Sequence, residues 1–436
     1  MSFREYFQKL GTVTRSLTLS FISQLSVSVI SFIMVPLLLN YLSKGVYGLW
    51  VTLISLVGWI LISDFGIGYG FRNRVTEYLA DNDKEKLTSH FATTFQYYLI
   101  ITFLLIIVFT IALFTNPFLI KHRELALAIY IPYLVYFPFS IGNQILQGLR
   151  LVYINNILNL VRAVLWACAV FFALFFVPKS DIKYIAISYT VVNSFANFLT
   201  IFLALRKSKL NLPSISTLLA RPKFDASIVV GIKFFVLQIS TLLLFSMGNY
   251  FVYSNLTPSD TANYDTINKV YSLSMTFFNI VIAVYWSEIS LFRAKQDFFA
   301  LRKIYSKLLL FATLYSISSV ALSYCAPFLV DFWTNGRIQV TVRQSLPFSF
   351  LVSLQAIAYS GSVFLNAFEK LMPQVIISLL SILAIYPLIK IGFSNKLGIG
   401  TIPIISGILV IPSVIVCHYV ALKLIKQKAT LLNESY

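Results

Sequence analysis

Twelve apolar runs, each near the length of a membrane-crossing helix, leave this chain few ways to fold. They fall at 17–41, 46–66, 91–115, 125–147, 151–177, 181–205, 227–253, 262–289, 305–328, 341–367, 372–392 and 400–422. A helix crossing the hydrocarbon core takes roughly 20 mostly apolar residues. A β-barrel would instead alternate in segments of about ten, and the sequence does not. Lipid offers no hydrogen bonds, so each crossing segment must satisfy its own backbone, which a helix does. The expected fold class is an all-α membrane protein of about 12 transmembrane helices. Composition removes the soluble alternative, with 58% hydrophobic residues, 11% charged and a mean hydropathy of +0.81. Soluble domains carry about a quarter charged residues. The first run follows Arg4, Lys9 and Arg15, as a signal peptide would. It is too long and lacks a small-residue cleavage site, so it is expected to stay as helix 1.

The net charge is +18, which in a soluble protein would suggest nucleic acid. Here its distribution orients the chain instead. With the N-terminus inside, cytoplasmic segments hold 22 of the 34 Lys and Arg and outside loops hold nine. The opposite topology breaks the positive-inside rule, so both termini are expected to be cytoplasmic. Most of these charges serve as anchors against anionic lipid heads. No nucleic-acid partner is implied.

The order of elements repeats. Asn40-Tyr41-Leu42-Ser43 and Tyr47 lie between helices 1 and 2, and Asn255-Leu256-Thr257 and Tyr264 lie between helices 7 and 8. In each half the helix pair runs into a basic loop, at 67–90 and at 290–304. Six plus six helices of one orientation form a parallel repeat. The expected division is a six-helix lobe at 1–206, a cytoplasmic linker at 207–226 containing Pro213 and Pro222, and a second lobe at 227–436. A cavity is expected between the lobes. Both basic loops should contain a short amphipathic helix on the inner surface. In the first, Phe71, Val75, Tyr78 and Leu79 recur at helical spacing.

Polar residues inside apolar runs are costly and are functional candidates by default. Helix 5 carries Asn155, Asn159 and Arg162 on one face. Helix 8 carries Asp265, Lys269, Ser272, Thr276 and Asn279. Lys233 lies two turns inside helix 7, and helix 10 carries Gln355, Tyr359, Ser362 and Asn366. Each has a plainer reading. Amide and hydroxyl stripes glue helices together, Lys233 can snorkel to the surface, and Lys269 is spaced to be neutralised by Asp265. Arg162 is the hardest to explain away, being central with no acid on its own helix. Arg162, Lys233, Lys269, Asn155 and Asn159 are the candidate substrate-binding residues, forming a net positive cavity suited to phosphate or pyrophosphate. Asp64, Asp265 and Glu288 are candidates for coupling or gating, since a partly buried carboxylate can have a raised pKa.

No enzyme site is visible. His90, His122 and His418 lie near run boundaries, and Cys168, Cys325 and Cys417 have no metal-ligand spacing. Gly66-Ile67-Gly68-Tyr69-Gly70 follows a membrane helix and reads as a terminator and turn rather than a phosphate cradle. No metal or catalytic residue is assigned.

Tyr47-Gly48-Leu49-Trp50, Asp64-Phe65-Gly66-Ile67-Gly68, Arg72-Asn73-Arg74 and Asp83-Lys84-Glu85-Lys86 together resemble the O-antigen and capsule flippase family (Wzx-type). This is the polysaccharide transporter branch of the multidrug/oligosaccharidyl-lipid/polysaccharide exporter superfamily. The resemblance covers the whole chain in length, helix count and half-repeat, with its motifs confined to 45–90. It implies a flippase moving undecaprenyl-pyrophosphate-linked oligosaccharide from the cytoplasmic to the periplasmic leaflet of a bacterial inner membrane. It implies alternating access through a cationic cavity, no cofactor, and a proton or sodium ion as coupling ion. Implied partners are the lipid-linked oligosaccharide, membrane lipids, a polysaccharide polymerase and a chain-length regulator. A multidrug exporter of the same superfamily should have an acidic cavity instead. A twelve-helix facilitator of another superfamily would carry an acid where Arg72-Asn73-Arg74 has none. A polymerase or ligase would carry a large periplasmic loop, and no outside loop here exceeds about a dozen residues.

Overall fold

The computed structural model describes residues 12–81, 83–149, 151–178, 180–219, 235–368 and 370–433. Among these, every regular element is helical. Among the described residues, eleven helices are long and apolar enough to cross a membrane. A twelfth candidate is a pair, Phe235–Ser246 and Gly248–Asn255, bent by 50°. The chain divides into two compact units, one of Met1–Ser43 with Leu56–Phe235 and one of Lys44–Ser55 with Val236–Tyr436. The second unit takes in the opening turns of an early helix, Lys44–Ser55. The reason is chemical, and lies in the partners of Tyr47 and Gly48 described below.

The first unit holds α1 (Thr12–Tyr41), the later turns of α2 (Lys44–Ile62), α3 (Ile67–Ala80), α4 (Lys84–Thr115) and the short α5 (Pro117–Lys121). It continues with α6 (Arg123–Tyr136), α7 (Ile141–Gly148), α8 (Val152–Phe176), α9 (Ile182–Ser208) and α10 (Ile215–Leu219). Short polar side chains set the helix starts. Asp83 accepts from the Lys86 N–H at the head of α4 (3.0 Å), Asn116 from Phe118 at α5 (3.0 Å), and Asp181 from Lys183 at α9 (2.9 Å). Each cap contributes about 1 kcal/mol. The Asp83 cap also explains why α4 begins seven residues before its apolar run. Once nucleated there, the backbone stays helical through polar residues.

In the first unit α1 packs on α8, and α9 packs on α6, α7 and α8. α3 is the amphipathic helix expected in 67–90, but its stripe meets protein. Phe71 and Val75 are fully buried. Phe71 stacks on His90 with ring centroids 5.7 Å apart, and Val75 closes on Gly148 of α7. α10, within the linker, is held by Gln96 of α4, whose Nε2 donates to the Thr217 carbonyl (2.6 Å).

The second unit holds the opening of α2 with α11 (Phe235–Ser246), α12 (Gly248–Asn255), α13 (Pro258–Ala294), α14 (Phe298–Trp333), α15 (Val342–Ala367), α16 (Met372–Ser394) and α17 (Thr401–Asn433). Thr257 and Asp260 cap α13 reciprocally with Pro258 in its first turn, and Thr341 and Gln344 do the same for α15. The 290–304 link differs from expectation, because it holds no separate surface helix. α13 runs to Ala294 and α14 starts at Phe298. Gln296 turns left-handed at φ 57° and Asp297 accepts from the Ala300 N–H (2.9 Å). That cap starts the new helix at once and leaves no room for another.

α15 is the hub of this unit, buried along its length against α13, α14 and α17. Proline and serine shape the bundle together. Pro327 removes the N–H that would bond the Ser323 carbonyl of α14. Ser345 of α15 donates to that carbonyl instead (2.8 Å). Similarly, α11 ends in a widened π-turn at Leu242–Ser246, and Ser406 of α17 donates to its Leu244 carbonyl (2.8 Å). Large apolar side chains remain on the surface, among them Phe103, Phe114, Phe328, Phe332 and Leu383. Such exposure suits lipid rather than water.

Candidate functional site

Three polar clusters stand out, and each lies within one unit. The first centres on Arg162 of α8. Its guanidinium donates from Nη1 to Asn193 Oδ1 of α9 (3.3 Å) and from Nη2 to Asn159 Oδ1, one turn earlier on α8. Asn193 is buried and donates to the Tyr189 carbonyl (2.7 Å). Trp166 meets Tyr189 edge-on at 5.1 Å. Among the described residues no carboxylate pairs with Arg162. Two amide oxygens solvate the half-buried cation without neutralising it. Asn155, on the same face, is turned away. Its Nδ2 donates to the Asn143 carbonyl of α7 (3.1 Å), and its buried Oδ1 has no hydrogen-bond partner among the described residues.

The second cluster joins the start of α2 to α12 and α13. Asp265 and Lys269 form an ion pair at 2.8 Å. The Tyr47 hydroxyl donates to Asp265 Oδ2 (2.5 Å) and accepts from Lys269 Nζ (2.8 Å). Asn249 donates to the other Asp265 oxygen (2.9 Å). Next to Tyr47, Gly48 lies so close to Pro258 that an added Cβ would stand 1.8 Å from its carbonyl oxygen. Only glycine permits this approach. The charge of Lys269 is therefore met inside the protein.

The third cluster surrounds Asp64, in the turn between α2 and α3. Phe65 and Gly66 adopt left-handed φ of 50° and 72°, so the glycine run is the turn that its sequence suggests. The buried Asp64 carboxylate accepts from the N–H groups of Gly66 (3.0 Å) and Gly68 (3.3 Å) and from the Tyr98 hydroxyl (3.0 Å). Burial pushes its pKa above the ordinary carboxylate value, and those three donors oppose the shift.

Of the remaining candidates, Glu288 is exposed on α13, and Lys233 lies outside the described residues. Among the described residues no three His, Cys, Asp or Glu side chains gather as a metal site. Asn193 and Tyr189 belong to the Arg162 cluster but were not expected there. The signal available was the spacing of Tyr189, Asn193 and Asn197 along one face of α9.

The family model described as polysaccharide biosynthesis protein matches residues 13–286. No curated protein matches the chain. Among solved structures, the chain is similar to an inward-facing multidrug resistance MATE family transporter of the MOP superfamily. The TM-score is 0.71 at 14% identity, covering 92% of this chain and 96% of that one. It is also similar to the lipid II flippase MurJ in an inward closed conformation. There the TM-score is 0.69 at 15% identity, covering 92% of this chain and 87% of that one. At such identities the likeness shows a shared fold. The family match spans well over half the chain, and the chain belongs to the polysaccharide biosynthesis protein family.

Proposed function

We propose that the protein is a Wzx-type flippase, moving undecaprenyl-pyrophosphate-linked oligosaccharide across a bacterial inner membrane by alternating access. Family membership supports a role in polysaccharide export. The observation that carries the anionic substrate is Arg162, a cation in an apolar helix, held by Asn159 and Asn193 with no carboxylate partner among the described residues. A guanidinium held this way keeps its charge and can offer a forked pair of donors to a phosphate. Lys269, already paired, positions α2 against α13 in this reading. A proton or sodium gradient supplies the energy, with Asp64 the best-placed carboxylate for coupling. The termini face the cytoplasm, and a polymerase and chain-length regulator receive the product. Deleting the gene, in a strain with no second flippase, tests this. The lipid-linked repeat unit should accumulate in the inner leaflet and surface polysaccharide should fall. Normal surface polysaccharide would overturn the reading.

A further inference from the structure

The polar stripe of α15 has no part in the Arg162 site. It lines a separate, partly open cavity of about 170 Å³ between α11, α15, α16 and α17 of the second unit. Gln355 and Tyr359 project into it from α15, with Ser240 from α11, Ser378 from α16 and Ser413 from α17. Gln355 is only 8% exposed. None of these five side chains hydrogen-bonds within the protein among the described residues. Other hydroxyls on the same wall are spent on their own helix, as Thr241 is on the Leu237 carbonyl (2.9 Å). In a membrane helix an idle hydroxyl or amide is costly unless something answers it. Five converging on one space mark a built site rather than residual glue.

The lining defines the guest. Among the described residues it carries no acidic or basic side chain, so it offers no countercharge to a phosphate or a metal cation. Gln355 and the hydroxyls each donate and accept, which matches a ligand whose own groups do both. Tyr359 adds an aromatic ring, a surface suited to an apolar ring face. The volume of about 170 Å³ is enough for one small ring with its hydroxyls. We propose that this cavity recognises an uncharged polyhydroxylated ring, one sugar residue of an amphiphile. The proposal rests on the flippase reading only for how such a sugar reaches the protein.

The test uses the full protein in nanodiscs, with glucose, galactose, rhamnose and N-acetylglucosamine as separate probes. Saturation-transfer NMR should show saturable binding of at least one. Gln355→Leu, close in volume and free of donors, should weaken that binding at least tenfold. Tyr359→Phe, which removes one oxygen and keeps the ring, should weaken it several-fold. Neither change breaks a bond within the protein, so thermal unfolding should stay near wild type. Binding of none of the four sugars would overturn the proposal, as would binding that both variants leave unchanged. Saturable sodium binding lost in the same variants, with no sugar bound, would overturn it too. Failure here leaves the flippase reading intact if deletion still stops export. Normal export after deletion, with sugar bound and lost in the variants, would sink that reading and keep this one.

Discussion

Tyr47 and Lys269, 222 residues apart in the chain, meet at 2.8 Å, and the same tyrosine hydroxyl donates to Asp265 at 2.5 Å. The hydroxyl thus closes a triangle whose third side is the direct ion pair. Breaking a buried pair by removing one partner costs about 3–5 kcal/mol. Lys269 is partly exposed, so Lys269→Met should cost about 3 kcal/mol, the lower end of that range. Tyr47→Phe leaves the pair in place and should cost about 1–2 kcal/mol. Adding Asp265→Asn to Lys269→Met should restore part of the loss. Detergent-solubilised melting curves of wild type, Lys269→Met, Asp265→Asn and the double variant form a double-mutant cycle for the pair. Additive losses in it would mean that the charges are not coupled.

Arg162 gives a graded series. Arg162→Lys keeps the charge without the fork and should support partial export. Arg162→Ala should abolish export while the protein still inserts, and Arg162→Glu should be worst because it repels phosphate. Surface polysaccharide, normalised to protein level, reads the outcome. Full export by both Ala and Glu variants would remove Arg162 from the mechanism.

The Lys and Arg bias predicts an orientation that reporter fusions can check. A fusion at Lys209 should report the cytoplasm and one at Arg343 the opposite side. The same side for both would contradict the crossing number.

Asp64 predicts a pH dependence. Its folded pKa lies above the ordinary value of about 3.9, so the folded state holds the proton more tightly. The resulting stabilisation is complete below the unfolded value and is lost as pH rises through the folded one. Asp64→Asn keeps an acceptor and removes the charge. Its melting temperature should exceed wild type at neutral pH, and the gap should shrink on acidification. A gap that widens at low pH would reverse the sign and refute the assignment.

Much of the fold was legible because a helix in lipid answers to its own sequence. Apolar runs marked the crossings but not every helix start, because α4 opens at Lys84 and α13 at Pro258, ahead of the runs at 91 and 262, where Asp83 and Thr257 cap them. The site was less so. Asn159 and Arg162 share a face, so half of that cluster followed from spacing. Asn193 stands on another helix, and only packing brings it to the guanidinium. The opening of α2 joins the second unit through Tyr47 and Gly48, a pairing across 218 residues to Asp265 that no local pattern encodes. The Gln355 and Tyr359 stripe was readable as polar, but idle hydrogen bonds become visible only once neighbouring helices are in place.

The bond from Ser345 to the Ser323 carbonyl bears on how the chain is assembled. Helices enter a bilayer in sequence, and α14 arrives with one carbonyl that Pro327 has left bare. Its answer lies 22 residues later, on α15. Until that segment enters, α14 sits in lipid with an unpaid polar group, which the hydrocarbon penalises. The two helices therefore form the smallest stretch of this region able to rest in the membrane with that debt cleared, and an insertion machinery should release them as a hairpin rather than one at a time.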